Sequence, residues 1–324
     1  VHPAPPHSPE GRRRRMTEAM RIRLSQVIAP PFRPVWARLK RGDVSEVWLA
    51  GGRGSGKSSF AAVAVVALLL LHPERHAIVY RKVAATLRES VYGQLLWAID
   101  QLGLGRFFKC SLSPLEMTLC PTGQRILFRG MDDAAKSKSI KLKSGHIGVL
   151  WLEELSEMDE LDSVRTVQLS VLRGGPGVTI ASYNPPQSLR AWVNLEALTP
   201  APGRLVHRST YLDLPPAWLG ETFLAQAEAL RQSDEAMWRH VFLGESAGTG
   251  GQVFERLSLR APTEADAAGE LLCGLDFGFA ADPDALVVCR YDRKRRTLFL
   301  ADELVARGLS TAALAQSVRE RLQR

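Results

Sequence analysis

The sequence predicts an α/β protein whose first and larger part is built on a mostly parallel central sheet, followed by a second, shorter α/β unit. Three observations carry that expectation. A strand pattern starting at Glu46 runs straight into a glycine-rich loop and then an apolar helix. Further apolar strands alternate with helical stretches as far as Ser182, the pattern of a parallel sheet covered on both faces. A stretch of small residues, Gly244 to Gly251, then separates this region from a fresh strand opening at Leu271.

The elements follow in order. Val47 to Ala50 is the first strand, Gly51 to Ser58 the loop, and Phe60 to Leu71 the apolar helix, which at about a dozen residues is too short to span a bilayer. His76 to Tyr80 is a second strand and about Ala84 to Leu102 a helix. Arg125 to Phe128, Ile147 to Leu152 and Val178 to Ser182 are further strands, after which Pro200 to Gly251 turns helical, with Trp218 to Leu230 and Glu235 to Phe242 as its helices. Leu271 to Asp276, Ala285 to Tyr291 and Thr297 to Ala301 form antiparallel strands, and Ser310 to Arg324 a closing helix. The domain expectation is a disordered basic tail over 1–25, a main domain over 26–245 with a helical C-terminal part, a linker over 246–268, and a second domain over 269–324.

Composition narrows the partners. A net charge of +8 and a pI near 9.6 favour an anionic partner, without separating nucleic acid from nucleotide or membrane. Cys110, Cys120, Cys273 and Cys289 lie far apart with no CxxC pair, which argues against zinc and a disulfide framework and suits a reducing cytoplasm. The Pro-rich opening ends in Arg12 to Arg15 and lacks the apolar core of a signal peptide; Met16 is a candidate natural start.

The loop Gly51-Gly52-Arg53-Gly54-Ser55-Gly56-Lys57-Ser58 fits G-x-x-x-x-G-K-[ST] between a strand and a helix, which defines a P-loop NTPase. Its glycines let successive backbone N–H groups turn inward around phosphates, and the helix presents its positive end to them. Lys57 is expected to reach the β and γ phosphates of ATP and Ser58 to hold Mg²⁺; Gly52, Gly54, Ser55, Gly56 and Ser59 complete the nucleotide contacts. Such an enzyme also needs an acid at the end of a neighbouring buried strand. Glu153 and Glu154 follow the strand over 147–152, Glu153 for the metal and Glu154 for the attacking water; the competing reading is an acidic helix start, since Glu157, Asp159 and Glu160 follow. Ser182 and Asn184 stand at the end of the next strand, where a γ-phosphate sensor belongs.

Taken in sequence, these segments, with Tyr80-Arg81-Lys82, Leu87 to Tyr92, Phe128 to Asp133, Lys138 to Lys141, Trp151 to Glu154, Tyr183 to Pro186, Ser209 to Leu212 and Phe242 to Glu245, resemble phage terminase large subunits of the PBSX-like group, over about Pro30 to the last residue. The resemblance implies an ATPase that drives double-stranded DNA into a procapsid. It also implies a ring of copies on a portal, a small terminase subunit as partner, a bacterial cytoplasmic setting and no membrane. It makes Arg53 a phosphate-facing arginine with a catalytic role, leaves a trans-acting basic residue open within 129–143, and makes Phe32 and Pro34 the segment that packs on adenine. The segment from Ser182 to Asn184 then couples hydrolysis to DNA movement.

The same resemblance makes 269–324 the beginning of an RNase H-like nuclease using Mg²⁺ or Mn²⁺, with Asp276 and Glu303 as metal ligands. Asp302 is the adjacent candidate, and Asp282 and Asp284 fit the turn after the first strand. Family members place a further catalytic Asp beyond the strand pattern seen here, so a truncated gene or fragment with weak or absent nuclease activity is expected. Basic residues Lys136, Lys138, Lys141 and Lys143, then Arg204, Arg208, Arg231 and Arg239, are available for phosphate contacts, none singled out. The alternatives are a helicase or repair ATPase, for which no arginine motif follows Asn184, a small-molecule kinase, or a non-hydrolysing nucleotide-binding scaffold, which would have no need of Glu154.

Overall fold

Glu46–Gly51 (β1) is apolar without alternation, and its residues are buried on both sides, as a strand in the middle of a covered parallel sheet must be. The structure, a computed structural model, describes residues 24–131, 141–247, 263, 269–278, 283–306 and 308–322. Its residues fall into two units, Val1–Gln252 and Val253–Arg324. The tail arginines Arg12 to Arg15, the linker apart from residues 246, 247 and 263, Asp282 and the lysines Lys136 and Lys138 lie outside the described residues.

In the first unit the helix Arg33–Arg41 (α1) precedes β1, and Lys57–Leu71 (α2) follows the glycine loop. Then come Arg75–Arg81 (β2), Gly93–Gln101 (α3), Phe108–Leu112 (β3), Leu115–Leu119 (β4), Gln124–Gly130 (β5) and His146–Glu153 (β6). Leu161–Val171 (α4), Val178–Tyr183 (β7), Trp192–Leu198 (α5), Arg204–Ser209 (β8), Glu221–Ser233 (α6) and Glu235–Leu243 (α7) complete it. The described strands form one sheet in the order β3-β4-β5-β2-β6-β7-β1-β8. Pairing is parallel from β5 through to β8 and antiparallel only at the β3–β4–β5 end.

Strand alternation sorts the core into two layers. Val47, Leu49, Val79, Phe128, Val149 and Trp151 pack with α2 and α3 on one face. Trp48, Ile78, Tyr80, Leu150, Leu152 and Tyr183 pack with α4 and α5 on the other. Helix α2 is apolar all round because it is covered all round, and each fully buried Val or Leu in it contributes about 1.5–3 kcal/mol. No helix among the described residues is long and apolar enough to cross a membrane.

The structure differs from the sequence expectation in three places. The helix expected over 84–102 is a 3-10 turn at Ala84–Thr86, a π turn at Arg88–Tyr92 and then α3. The hairpin β3–β4 was not anticipated, because Phe108–Leu112 is a half-exposed edge strand with no clean alternation. Strand β8 falls in a region expected to be helical; Arg204-Leu-Val-His-Arg-Ser is short and lies at the sheet edge, paired to β1.

The second unit holds Glu270–Asp276 (β9), Asp284–Asp292 (β10), Thr297–Ala306 (β11) and Thr311–Leu322 (α8), with strand order β11-β10-β9, all antiparallel.

One buried amide stitches α2 to the sheet. The last carbonyls of a helix have no partner within it. Gln124 Nε2, at the start of β5, lies 2.8 Å from Leu69 O, 3.0 Å from His72 O and 2.7 Å from Arg75 O. Gln124→Ala removes this donor from Leu69 O and Arg75 O in a buried place, while His72 O keeps the Arg75 N–H at 3.0 Å, and a loss of about 1–3 kcal/mol is expected in denaturant unfolding.

Candidate nucleotide and metal site

The glycine loop turns between β1 and α2 at the carboxyl ends of the parallel strands, the place where open α/β sheets bind ligands. Gly56 caps α2 with φ +78, a left-handed conformation that a side chain would disfavour. Gly52 is held from behind: a Cβ there would sit 2.2 Å from Phe242 O, and the Arg53 N–H donates to Val241 O at 2.8 Å. The last turn of α7 therefore braces the loop, and the Arg53 N–H is committed to the protein. The Arg53 side chain is exposed and close enough to weigh on Lys57 electrostatically.

Lys57 is buried. Its Nζ donates to Asn184 Oδ1 at 2.6 Å and to Gly52 O at 3.3 Å. Burial lowers its pKa, and the Glu154 and Glu153 carboxylates work against that shift. On β6, Val149, Trp151 and Glu153 alternate onto the α2 face, which carries the Glu153 carboxylate to the start of α2. There Ser58 Oγ donates to Glu153 Oε1 at 2.8 Å. Register pairs Glu153 with Ser182 on β7, and the Ser182 hydroxyl donates to Glu153 Oε2. Trp151 Nε1 donates in turn to Ser182 Oγ at 2.8 Å. Burial raises the Glu153 pKa, opposed by the Ser182 and Ser58 hydrogen bonds, raised again by Glu154 and opposed by Lys57.

Glu154 adopts φ +55, a left-handed conformation uncommon for a residue other than glycine, at the point where β6 gives way to the 3-10 turn Leu155–Glu157. Such a conformation costs on the order of 1–2 kcal/mol and departs from strand alternation, so two successive carboxylates both act on Lys57. Of the acids that follow, Glu157 pairs with Arg81 at 3.3 Å and Asp159 with Lys82 at 2.6 Å, while Glu160 is the N-cap residue of α4 at Leu161.

A cleft of about 580 Å³ opens beside the loop, lined by Gly54, Gly56 and Ser59 on the loop side and by Gln26, Trp97, Gln101 and Trp218 among others. Phe32 lies in its wall with 0% exposure, its ring stacked on Phe60 at 4.7 Å and tilted against His207 at 5.0 Å. Phe32 is fully buried among these rings, whereas Trp97 and Trp218 keep 39% and 51% of their surface exposed. Sequence reasoning passed over the two tryptophans and the two glutamines, which stand outside any motif: Trp97 is on α3, among Leu and Ile, and Trp218 ends the 3-10 turn Pro216–Trp218.

Among the basic residues, Arg204 is structural, paired with Glu46 and Glu196 at 2.8 Å each and stacked over Trp48. Arg231 pairs with Glu228 and Arg239 with Glu245, while Lys141, Lys143 and Arg208 are exposed. In the second unit, Asp276 pairs with Ala285 and Glu303 with Val287, which puts Asp276 and Glu303 on one face of the sheet. Asp302 belongs to the other face and is ion-paired with Arg321 of α8. Among the described residues, no group of three or more potential His, Cys, Asp or Glu ligands gathers anywhere.

The fold and the loop define a P-loop NTPase. The sequence profile of the phage terminase large subunit family matches residues 45–245. Over 312 residues the chain is 37% identical to the terminase large subunit of Bacillus phage SPP1, covering 93% of this chain and 73% of that protein. It is 27% identical over 296 residues to the PBSX phage terminase large subunit of Bacillus subtilis (strain 168), covering 84% and 67%. This chain belongs to the phage terminase large subunit family. A large terminase from a thermophilic bacteriophage superposes with a TM-score of 0.56 at 13% identity over 91% of this chain and 74% of that one, a likeness of fold.

The burial of Glu153 has a stability consequence. Its folded pKa lies above the unfolded value of 4.5, so folding is opposed increasingly as pH rises from 4.5 through the folded pKa, and not below it. Glu153→Gln removes that opposition. Thermal midpoints of variant and parent, without nucleotide, are expected to differ in the variant's favour at pH 8 and to converge toward pH 4.5; a constant or reversed difference contradicts the assignment.

Proposed function

We propose that this chain is the ATP-hydrolysing motor subunit that translocates double-stranded DNA into a phage procapsid, working in the host cytoplasm as a ring of copies on the portal with a small terminase subunit. The observation that carries it is the joint hold of one sensor strand end on both catalytic poles: Asn184 on Lys57 and Ser182 on Glu153. The thermophilic-phage large terminase related in fold was also solved with ATP-gamma-S, which supports ATP as the nucleotide.

The donor set fits Mg²⁺, since hydroxyl and carboxylate oxygens are hard ligands and magnesium on a nucleotide takes few from the protein. Ser58 and Glu153 would hold it, and when bound it neutralises charge between the β and γ phosphates. Lys57 exchanges Asn184 for the phosphates. Glu154, set apart from the strand by its left-handed backbone, orients and polarises the attacking water. Asn184, released by Lys57, is free to register the γ-phosphate. The strand end beyond it leads to Pro186, whose carbonyl accepts from Asn194 Nδ2 at 2.9 Å and Ser246 Oγ at 2.7 Å. Ser246 follows α7, the helix that braces the loop, so movement at Asn184 reaches both sides of the nucleotide. In the cleft, Trp97 and Trp218 take the base-stacking role and Phe32 supports the wall. The Arg53 side chain faces the phosphates from the solvent side.

ATP turnover tests this with and without linear DNA, for the parent and Glu154→Gln. Turnover in the parent and a loss of about 10²-fold or more in the variant, with binding of a fluorescent ATP analogue retained, is the expected result. A parent with no turnover on DNA and portal, or a variant as active as the parent, defeats the motor reading.

For the second unit we propose an RNase H-like nuclease role in which Asp276 and Glu303 bind Mg²⁺ or Mn²⁺. Any Mn²⁺-dependent nicking of supercoiled plasmid by this chain is expected to disappear in Asp276→Asn. Nicking that survives the substitution assigns the activity elsewhere.

A further inference from the structure

We propose that Trp151 is a positioning residue for the metal site, acting through Ser182 to fix the Glu153 carboxylate; this rests on the reading of Glu153 as a holder of Mg²⁺. A serine hydroxyl has one proton and two acceptor positions, whereas an indole N–H can only donate. Trp151 Nε1 occupies an acceptor position of Ser182 Oγ at 2.8 Å, within a region where Trp151 and Ser182 are almost wholly buried. The single hydroxyl proton is thereby directed to Glu153 Oε2. Rotation of Ser182 to another acceptor would leave both the indole and the carboxylate short of a partner in a place water does not reach, at the cost of a buried unsatisfied group.

The two arms on Glu153 differ in kind. The arm through Ser58 uses a hydroxyl that the metal also claims, so it is open to exchange. In the arm through Ser182 and Trp151 both hydrogens are spent within the protein, the hydroxyl proton on Glu153 and the indole N–H on Ser182. It is the fixed arm, and it holds the carboxylate in place while the other changes. Apolar packing against α2 asks only for bulk at position 151; the indole N–H is the part whose partner is the site.

The test replaces Trp151 in the full chain with 3-benzothienylalanine, which keeps the bicyclic shape and puts sulfur in place of N–H. Mn²⁺ binding is read by electron paramagnetic resonance in the presence of a non-hydrolysable ATP analogue. A three- to tenfold weaker Mn²⁺ affinity is expected, the size of one neutral hydrogen bond. The Mg²⁺ concentration for half-maximal ATP turnover should rise with it, and the rate at saturating Mg²⁺ should stay near the parent's. Ser182→Ala, which leaves the indole in place, is expected to weaken Mn²⁺ binding comparably, and the Trp151 replacement should add nothing in that background. Unchanged Mn²⁺ affinity in the replaced protein, or the same fold loss in the Ser182→Ala background, overturns the proposal. Glu153→Gln separates the two readings. If it leaves Mn²⁺ affinity intact, the metal role itself fails; if it weakens binding while the Trp151 replacement does not, only the positioning role fails.

Discussion

A buried carboxylate with a hydroxyl on each oxygen organises this molecule. Glu153 accepts from Ser58 at the start of α2 and from Ser182 near the end of β7. Three elements distant in sequence are therefore joined at one charge, and the joint forms only if β6 lies beside β7 with Glu153 in register with Ser182. A slip by one residue would turn Glu153 to the α4 face and Leu152 to the phosphate loop. Packing enforces the register, since Val149 and Trp151 share the face of Glu153 and are buried against α2.

The loop itself is shaped from two sides. From within, the left-handed Gly56 starts α2; from behind, the Phe242 carbonyl meets Gly52 at a distance only a glycine permits, and the Val241 carbonyl accepts from the Arg53 N–H. Helix α7 is held in turn by an aromatic cluster of Tyr211, Phe223, Trp238 and Phe242, with ring centroids of 5.4 Å between Phe223 and Phe242. Phe223 also lies against Gly54, so the helical part after β8 forms one side of the nucleotide site. Such T-shaped aromatic pairs add about 0.5–1.5 kcal/mol each beyond the area they bury.

What the sequence made legible was the chemistry that admits few residue types. A loop that wraps phosphate needs glycine and a lysine at set spacing, and an acid at a strand end must follow an apolar run, so Lys57, Ser58 and Glu153 stood out. Asn184 was legible because a polar residue closing a buried strand has few other reasons to be there. The base cleft was not, because stacking on a base can be supplied by any exposed ring, and which ring is exposed is decided by packing. Phe32 illustrates this: the family resemblance put it on adenine, and in the fold it lines the cleft as a buried ring packed with Phe60 and His207. The edge strands β3 and β8 escaped for a related reason, since half-exposed strands carry neither alternation nor a continuous apolar run.

The site is built against local stability. Lys57 and Glu153 are buried charged groups, both pulled toward their neutral forms by desolvation, and Glu154 holds an unfavourable backbone conformation. These costs are met by neighbours that have no part in the chemistry: the wholly apolar interior of α2, the Gln124 stitch at its far end, and the two-sided covering of the sheet. The stitch and the charged pole lie at opposite ends of the same helix, α2. Weakening the structural end loosens the frame without touching a reacting group. Neutralising the buried charges relieves the frame, which is the relation expected where geometry is maintained for chemistry and not for folding.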